Sequence, residues 1–273
     1  MAIKLMYITN RTDIALIAET AGVDRIFVDL EVIGKQERQG GMDTVQSKHS
    51  ISDIVEIRKV LTKAELLVRS NPIHENSKQE IDDIVSAGAD LIMLPYFKTV
   101  REVETFVSYV AGRAKTMLLI ETPEAVEAVD EILGVKGIDE VFVGLNDLSL
   151  GYGKKFMFEL LADGTVENLC NKFKSKGYEY GFGGIASLNG GLVPGSMILK
   201  EHYRLHSSSV ILSRSFCNAE MIENNNEIVS VFTNGIAELR RLEKECCYCL
   251  GDKTYFEKNR QSVKEKVEIV VRN

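Results

Sequence analysis

Eight short apolar runs, each followed by a stretch of helical periodicity, constrain this chain more than any other feature. The runs are Lys4 to Thr9, Arg25 to Leu30, Leu66 to Arg69, Leu91 to Pro95, Met117 to Glu121, Val141 to Gly144, Gly181 to Ile185 and Ser209 to Ser213. Most lack polar alternation, which marks strands covered on both faces, as in parallel sheets. Amphipathic segments fill the gaps: Asp13 to Ala21, Ile51 to Leu61, Lys78 to Ala87, Val100 to Ala111, Glu124 to Leu133, Val166 to Lys176 and Ser196 to Leu205. A long final helix is expected from near Glu227 to about Cys249. Gly22, Gly88, Gly177 and Gly251 fall where helices should stop. Alternating strand and helix demands right-handed parallel crossovers. Eight rounds predict an α/β chain folded as one closed (β/α)8 TIM barrel, with a helical region from about residue 218. The open doubly wound sheet is the rival, but no G-x-G-x-x-G follows the first strand.

Nothing in the 273 residues looks like an internal repeat or a low-complexity linker, so a single domain is expected. Two irregular stretches break the rhythm, Val32 to Ser50 and Tyr152 to Thr165, the second with a short helix expected around Phe156 to Leu161. Long excursions of this kind shape a mouth or an oligomer contact. The formal charge of -7 argues against a broad nucleic-acid footprint. No apolar run approaches the ~20 residues that span a bilayer, and the first residues read as a strand rather than a signal peptide. A cytoplasmic protein with no membrane partner is the expectation. The five cysteines (170, 217, 246, 247 and 249) read as free thiols, because Cys246-Cys247-Tyr248-Cys249 is too crowded for a tetrahedral metal and lacks a completing pair.

In a barrel of this kind chemistry occupies the loops at the C-terminal ends of the strands. Those ends carry Asp29 and Glu31 (F-V-D-L-E), Arg69 (L-V-R-S-N-P), Glu121 (L-L-I-E-T-P) and Asp147 (V-F-V-G-L-N-D). Four acids and one arginine thus converge on one rim. Glu121 and Asp147 come from neighbouring strands, which lie ~4.8 Å apart, and can share one divalent cation. Two hard oxygen ligands, completed by water and substrate, are how Mg2+ or Mn2+ is commonly held. Plainer readings exist. Thr122, Pro123 and Glu124 make an ordinary helix start that leaves Glu121 unexplained. Asp147 can also be a helix cap, and Arg69 can be a structural counter-charge.

The ordered motifs F-V-D-L-E, L-V-R-S-N-P, A-G-A-D-L-I-M-L-P, L-L-I-E-T-P-E-A-V and V-F-V-G-L-N-D-L-S resemble those of the HpcH/HpaI aldolase and citrate lyase β-subunit family, over roughly Ile14 to Phe216. The resemblance implies a metal-dependent barrel that makes or breaks carbon–carbon bonds beside a 2-oxo acid or acyl-CoA enolate, and, in the aldolase branch, a homo-oligomer such as a trimer of dimers. It makes Glu121 and Asp147 the metal carboxylates and Arg69 the group that steadies the oxo or enolate oxygen. Gly144 and Asn146 fall in the turn whose N–H groups hold the substrate carboxylate, and Asp29 and Glu31 belong to the substrate site. Where the aldolase branch carries a proton-transferring histidine after the glutamate, this chain has Val32; His49 and His74 are the candidate stand-ins. Leu145 stands where many relatives carry proline.

The expected function is therefore a class II aldolase (a lyase) acting on pyruvate or a related 2-oxo acid and an aldehyde. A citryl-CoA or malyl-CoA type of lyase is the alternative, for which Lys35, Arg38, Lys154 and Lys155 are available as phosphate contacts. A barrel that binds a metabolite without turnover is the third reading. The converging charges of Arg69, Glu121 and Asp147 speak against it, because like charges brought together without a task destabilise one another.

Overall fold

A computed structural model describes residues 2–34 and 49–272. Among them, eight parallel strands close into a barrel in sequence order, with β8 pairing back onto β1. The strands are β1 (Lys4–Ile8), β2 (Arg25–Asp29), β3 (Glu65–Arg69), β4 (Leu91–Leu94), β5 (Lys115–Ile120), β6 (Glu140–Val143), β7 (Glu179–Ile185) and β8 (Ser209–Leu212). The helices between and around them are α1 (Thr12–Ala21), α2 (Ile51–Val60), α3 (Ser77–Ser86), α4 (Val100–Val110), α5 (Pro123–Glu127), α6 (Val129–Ile132), α7 (Leu145–Gly151), α8 (Glu159–Ala162), α9 (Thr165–Lys176) and α10 (Gly195–Arg204). Two long helices, α11 (Asn225–Tyr248) and α12 (Lys253–Arg272), complete the chain. No described helix is long and apolar enough to cross a membrane.

Residue parity along the strands decides what faces the barrel axis. Met6, Phe27, Leu67, Met117, Leu119 and Phe142 pack together inside the barrel. Their strand neighbours Leu5, Ile26, Leu66, Leu118 and Val141 join the outer core beneath the helices. Two residues before the inner layer lie Lys4, Arg25, Glu65, Lys115 and Glu140, each the first residue of its strand. They form the barrel floor. Arg25 is 0% exposed and donates to Glu140 through both terminal nitrogens (2.6 and 2.5 Å) and to Glu65 through Nε (2.7 Å). Lys115 reaches Glu65 (2.8 Å), and Lys4 reaches Glu179 (2.6 Å). This pairing explains why β3, β5 and β6 begin one or two residues before the apolar runs: their charged first residues find partners on other strands, which offsets the burial of Arg25 and Glu140.

Other departures from expectation are local. The single helix expected from Glu124 to Leu133 is two short ones, α5 and α6, parted at Ala128. Thr122 caps α5 as read, accepting from the Ala125 N–H (3.2 Å), with Pro123 in the first turn. The helix expected around Phe156 to Leu161 is α8, which starts at Glu159. Gly22 and Gly177 end α1 and α9 in the left-handed conformation, whereas α11 ends at Cys249, before Gly251 is reached. Beyond it Asp252 Oδ1 accepts from the N–H groups of Thr254 and Tyr255 and starts α12. The five cysteines are free.

Candidate active site

The parity that fills the barrel also builds its mouth. Two residues beyond Phe27, Leu67, Leu119 and Phe142 come Asp29, Arg69, Glu121 and Gly144, so these four turn toward the axis at the C-terminal rim. Arg69, Glu121, Gly144, Asn146 and Asp147 line one cavity of about 390 Å3, whose depth is closed by Phe27, Leu119 and Phe142. A smaller cavity of about 230 Å3 adjoins it, lined by Asp29, His49 and Arg69 among others.

Arg69 is held rather than loose. Its Nε and Nη2 donate to the two oxygens of Asp29 (2.8 and 2.7 Å), and Nη1 lies 3.3 Å from Glu31 Oε2. The guanidinium stands over the Phe27 ring, 5.6 Å from its centroid. Burial works against the Arg69 charge, but Asp29 and Glu31 outweigh it and raise its pKa above the ordinary value. Asp29 also accepts from the Glu31 N–H (3.1 Å). A bidentate carboxylate–guanidinium pair fixes orientation as well as charge, so Asp29, with Glu31 beside it, holds the Arg69 guanidinium in place at the rim.

Glu121 is 3% exposed. Its Oε1 accepts from the Tyr96 N–H (3.0 Å), and Tyr96 adopts a left-handed φ of 46°. A non-glycine residue held in that region marks a backbone constrained by its surroundings. Burial, then the charge of Glu31, push the Glu121 carboxyl well above the usual range; Asp147 adds to the rise, while Arg69 and the Tyr96 N–H oppose it. Gly144 gives Glu121 its room. A Cβ there would stand 2.6 Å from Glu121 Oε2 and 2.8 Å from Glu121 Cβ. The φ of Gly144 is -81°, so space, not conformation, is what requires glycine.

Asp147 is 7% exposed and occupies the first turn of α7, for which Gly144 is the N-cap residue. It is thus inside the helix, not its cap. An acidic residue in a first turn is favoured by the helix dipole, which accounts for its tolerance there but not for its place in the cavity wall. The Gly144 N–H donates to the Ile120 carbonyl (3.0 Å) and is committed to the sheet. The turn's remaining donors are the N–H groups of Leu145 and Asn146, which open α7 and have no acceptor within the helix.

The two histidines part company. His49 stands at the end of β2, where its Nδ1 accepts from the Asp29 N–H (2.9 Å), placing the proton of the neutral ring on Nε2. His74 accepts from the Asn76 N–H at Nδ1 (3.1 Å) and its Nε2 meets Glu80 Oε2 (3.0 Å). Glu80 in turn accepts from Asn71, whose Oδ1 accepts from the N–H groups of Val32 and Ile33. His74 therefore braces the loop after β2 and lines neither cavity. Of the basic residues considered for a CoA phosphate, Lys154 is paired with Asp163 (2.8 Å), and the Lys155 N–H donates to Glu159 (2.8 Å). Lys35 and Arg38 lie outside the described residues.

Sequence reasoning missed Tyr96, which aims a donor at Glu121, and Tyr7 and Arg214, which line both cavities. A scan of strand ends reaches Arg214, two residues past β8; nothing in L-P-Y-F flags Tyr96.

The residues present suit a divalent cation. Glu121 and Asp147 offer carboxylate oxygens to one cavity, and Glu121 already feels the Asp147 charge. Hard oxygen donors match Mg2+ or Mn2+. Among the described residues no group of three or more His, Cys, Asp or Glu forms a ready-made metal cage. A site built from two carboxylates would leave positions for substrate and water.

The architecture is similar to solved HpcH/HpaI proteins. A HpcH/HpaI aldolase from Desulfitobacterium hafniense DCB-2 superposes with a TM-score of 0.60 at 17% identity, over 77% of this chain and 86% of that one. A HpcH/HpaI aldolase/citrate lyase family protein from Burkholderia cenocepacia J2315 does so at 0.60 and 14%, over 83% and 94%. At such identities the likeness is one of fold. In sequence, the chain is 30% identical over 141 residues to the hydroxypyruvate/pyruvate aldolase of Rhizorhabdus wittichii strain RW1, a match covering 40% of this chain and 55% of that protein. The chain thus spans about half the length of that curated relative. Residues 4–159, more than half of the chain and including Asp29, Arg69, Glu121 and Asp147, match the HpcH/HpaI aldolase/citrate lyase model, and the chain belongs to that family.

Proposed function

We propose that the protein is a divalent-metal-dependent lyase of the aldolase type, joining or cleaving a carbon–carbon bond at the enolate carbon of pyruvate or a related 2-oxo acid. The observation that carries this reading is the meeting of Arg69, Glu121 and Asp147 on one cavity at the barrel's C-terminal mouth. The aldolase relative and the family support it.

In the cleavage direction the hydroxyl of the substrate loses its proton, the adjacent carbon–carbon bond breaks, and the electron pair moves into the 2-oxo acid fragment as an enolate. The enolate carbon then takes a proton. Arg69 presents a permanent positive charge to the oxygen where the negative charge grows, because guanidinium does not deprotonate in proteins. Asp29 keeps that charge aimed, so no reorganisation is needed during reaction. Glu121 and Asp147 would hold the Mg2+ or Mn2+ ion. When bound, that ion acts as a Lewis acid toward the 2-oxo group. The N–H groups of Leu145 and Asn146, which open α7 in the cavity wall, would receive the substrate carboxylate. His49, beside Asp29, presents an Nε2 proton in its neutral form and so serves as a hydrogen-bond donor while its Nδ1 bond to Asp29 lasts.

The test joins binding to turnover. Glu121→Gln and Asp147→Asn are each expected to abolish Mn2+ binding by calorimetry and the retro-aldol reaction in Mg2+. Full turnover by the native protein in excess EDTA overturns the metal-dependent reading. Undiminished Mn2+ binding by both variants overturns the assignment of the ligands.

A further inference from the structure

Granting the aldolase reading above, we propose that Asn71 is a positioning residue for the reaction: it holds the backbone that carries Glu31, and Glu31 helps to aim the Arg69 guanidinium at the oxygen that gains charge. Sheet pairing carries β2 only so far. Asp29 lies opposite Arg69, and the Leu30 N–H donates to the Arg69 carbonyl (3.0 Å). The chain then crosses from interior to surface in one step, since Glu31 is 1% exposed and Val32 59%. Ile33 is exposed as well, so packing does little to hold the crossing. Asn71 does so with its side chain. Its Oδ1 accepts from the N–H groups of both Val32 (2.9 Å) and Ile33 (3.0 Å). In L-V-R-S-N-P it stands two residues past Arg69, and Pro72 disfavours helical backbone there.

Asn71 is itself anchored. Its backbone N–H (3.0 Å) and its Nδ2 (2.8 Å) both donate to Glu80 Oε1. Two N–H donors on one side of the amide and a carboxylate on the other fix which end is oxygen. Glu80 belongs to α3, is partly buried, and meets His74 Nε2 with its other oxygen (3.0 Å). A helix, a carboxylate and an amide thus secure two consecutive peptide groups directly after Glu31. The consequence falls on Arg69. Asp29 grips Nε and Nη2, one edge of the guanidinium. Nη1 lies 3.3 Å from Glu31 Oε2. Without Asn71, Glu31 is held only on its Leu30 side, and the Nη1 end of the fork gains room to tilt. Asn71 lines neither cavity at the mouth. Its loss therefore tells where charge builds in the transition state, and not in the binding of pyruvate or metal.

The assay is exchange of the pyruvate methyl protons into D2O in Mg2+, followed by NMR, which needs no aldehyde. Asn71→Ala is expected to lower kcat for exchange roughly 10- to 100-fold, the range for removing the outer partner of a site residue. KM for pyruvate and Mn2+ affinity by calorimetry should stay within about threefold of native, the mark of an interaction made only in the transition state. In an Arg69→Ala background the same substitution should change kcat less than about threefold, since a residue that acts through Arg69 then has nothing left to aim. Glu80→Gln, which leaves the amide in place and weakens its anchor, should show the same pattern in smaller measure. An equal loss in the two backgrounds means a tether that serves only the fold and overturns the inference, as does native kcat in Asn71→Ala. If Asn71→Ala does not fold by circular dichroism, the Glu80→Gln cycle decides by the same criteria. Exchange by the native protein separates the two failures. Where it occurs, a failed cycle removes only the role of Asn71. Where it is absent, the aldolase reading falls, and this inference with it.

Discussion

Gly144→Ala is the sharpest probe of the site, because one methyl group tests both its packing and its chemistry. The added Cβ would stand 2.8 Å from Glu121 Cβ and 3.2 Å from Leu119 Cδ1. Carbon atoms in comfortable contact lie about 3.5–4.0 Å apart, so Glu121 and residue 144 must separate by about 1 Å. A side-chain rotation cannot relieve this, since Glu121 Cβ is fixed to the backbone at the end of β5. The Gly144 N–H bond to Ile120 resists the shift as well. Overpacking of this kind costs about 1–3 kcal/mol, a fall in Tm of roughly 2–12 °C at 2–4 °C per kcal/mol. A displacement of about 1 Å at a reacting centre costs on the order of 100-fold in rate. Differential scanning calorimetry, Mn2+ titration and retro-aldol kinetics on the same preparation read all three effects. A variant with native Tm, native Mn2+ affinity and native kcat refutes the argument that Gly144 makes room for the Glu121 carboxylate.

Three further outcomes are expected. Arg69→Ala should lower kcat about 100-fold or more, the cost of one preorganised donor; a loss below about fivefold in a protein folded by circular dichroism removes Arg69 from the mechanism. Glu121→Gln should stabilise the metal-free protein at pH 8 and less so at pH 5. A carboxyl whose folded pKa is raised above 4.5 binds more protons in the native state than in the unfolded one, so stability falls as pH climbs from that value toward the raised one. The Gln oxygen keeps the Tyr96 bond, and melts in EDTA at both pH values check the sign. On the floor, Glu140→Gln weakens the main counter-charge of a fully buried Arg25 and should cost up to about 3–5 kcal/mol in urea unfolding; a change below about 1 kcal/mol means that Glu65 alone suffices.

The barrel was legible because its strands announce themselves as unbroken apolar runs, and the rim because charged residues sit where those runs end. Asp29, Arg69, Glu121 and Asp147 do gather at one mouth. The sequence places the strand starts late at Glu65, Lys115 and Glu140, since a rule based on hydrophobicity halts at a charge and cannot know that the charge has a partner on another strand. The helix α7 escaped notice because Leu145, Asp147, Leu148 and Ser149 are all buried, which erases the polar face that periodicity relies on. In α12 the signal was present: Phe256, Asn259, Val263 and Val267 recur at helical spacing. Tyr96 was beyond reach, because a left-handed φ at a tyrosine is imposed by tertiary contacts that a linear chain does not display. The histidines could be nominated by type alone; which ring nitrogens were engaged depended on Asp29, Asn76 and Glu80, all set by the fold.

The side chains packed inside the barrel, over a floor of ion pairs, make it a cup and not a tube. Reactants have a single way in, and whatever sits deepest, against Phe27 and Phe142, must arrive first and depart last. Bisubstrate kinetics should then be ordered, with the 2-oxo acid leading and an aldehyde analogue uncompetitive toward it.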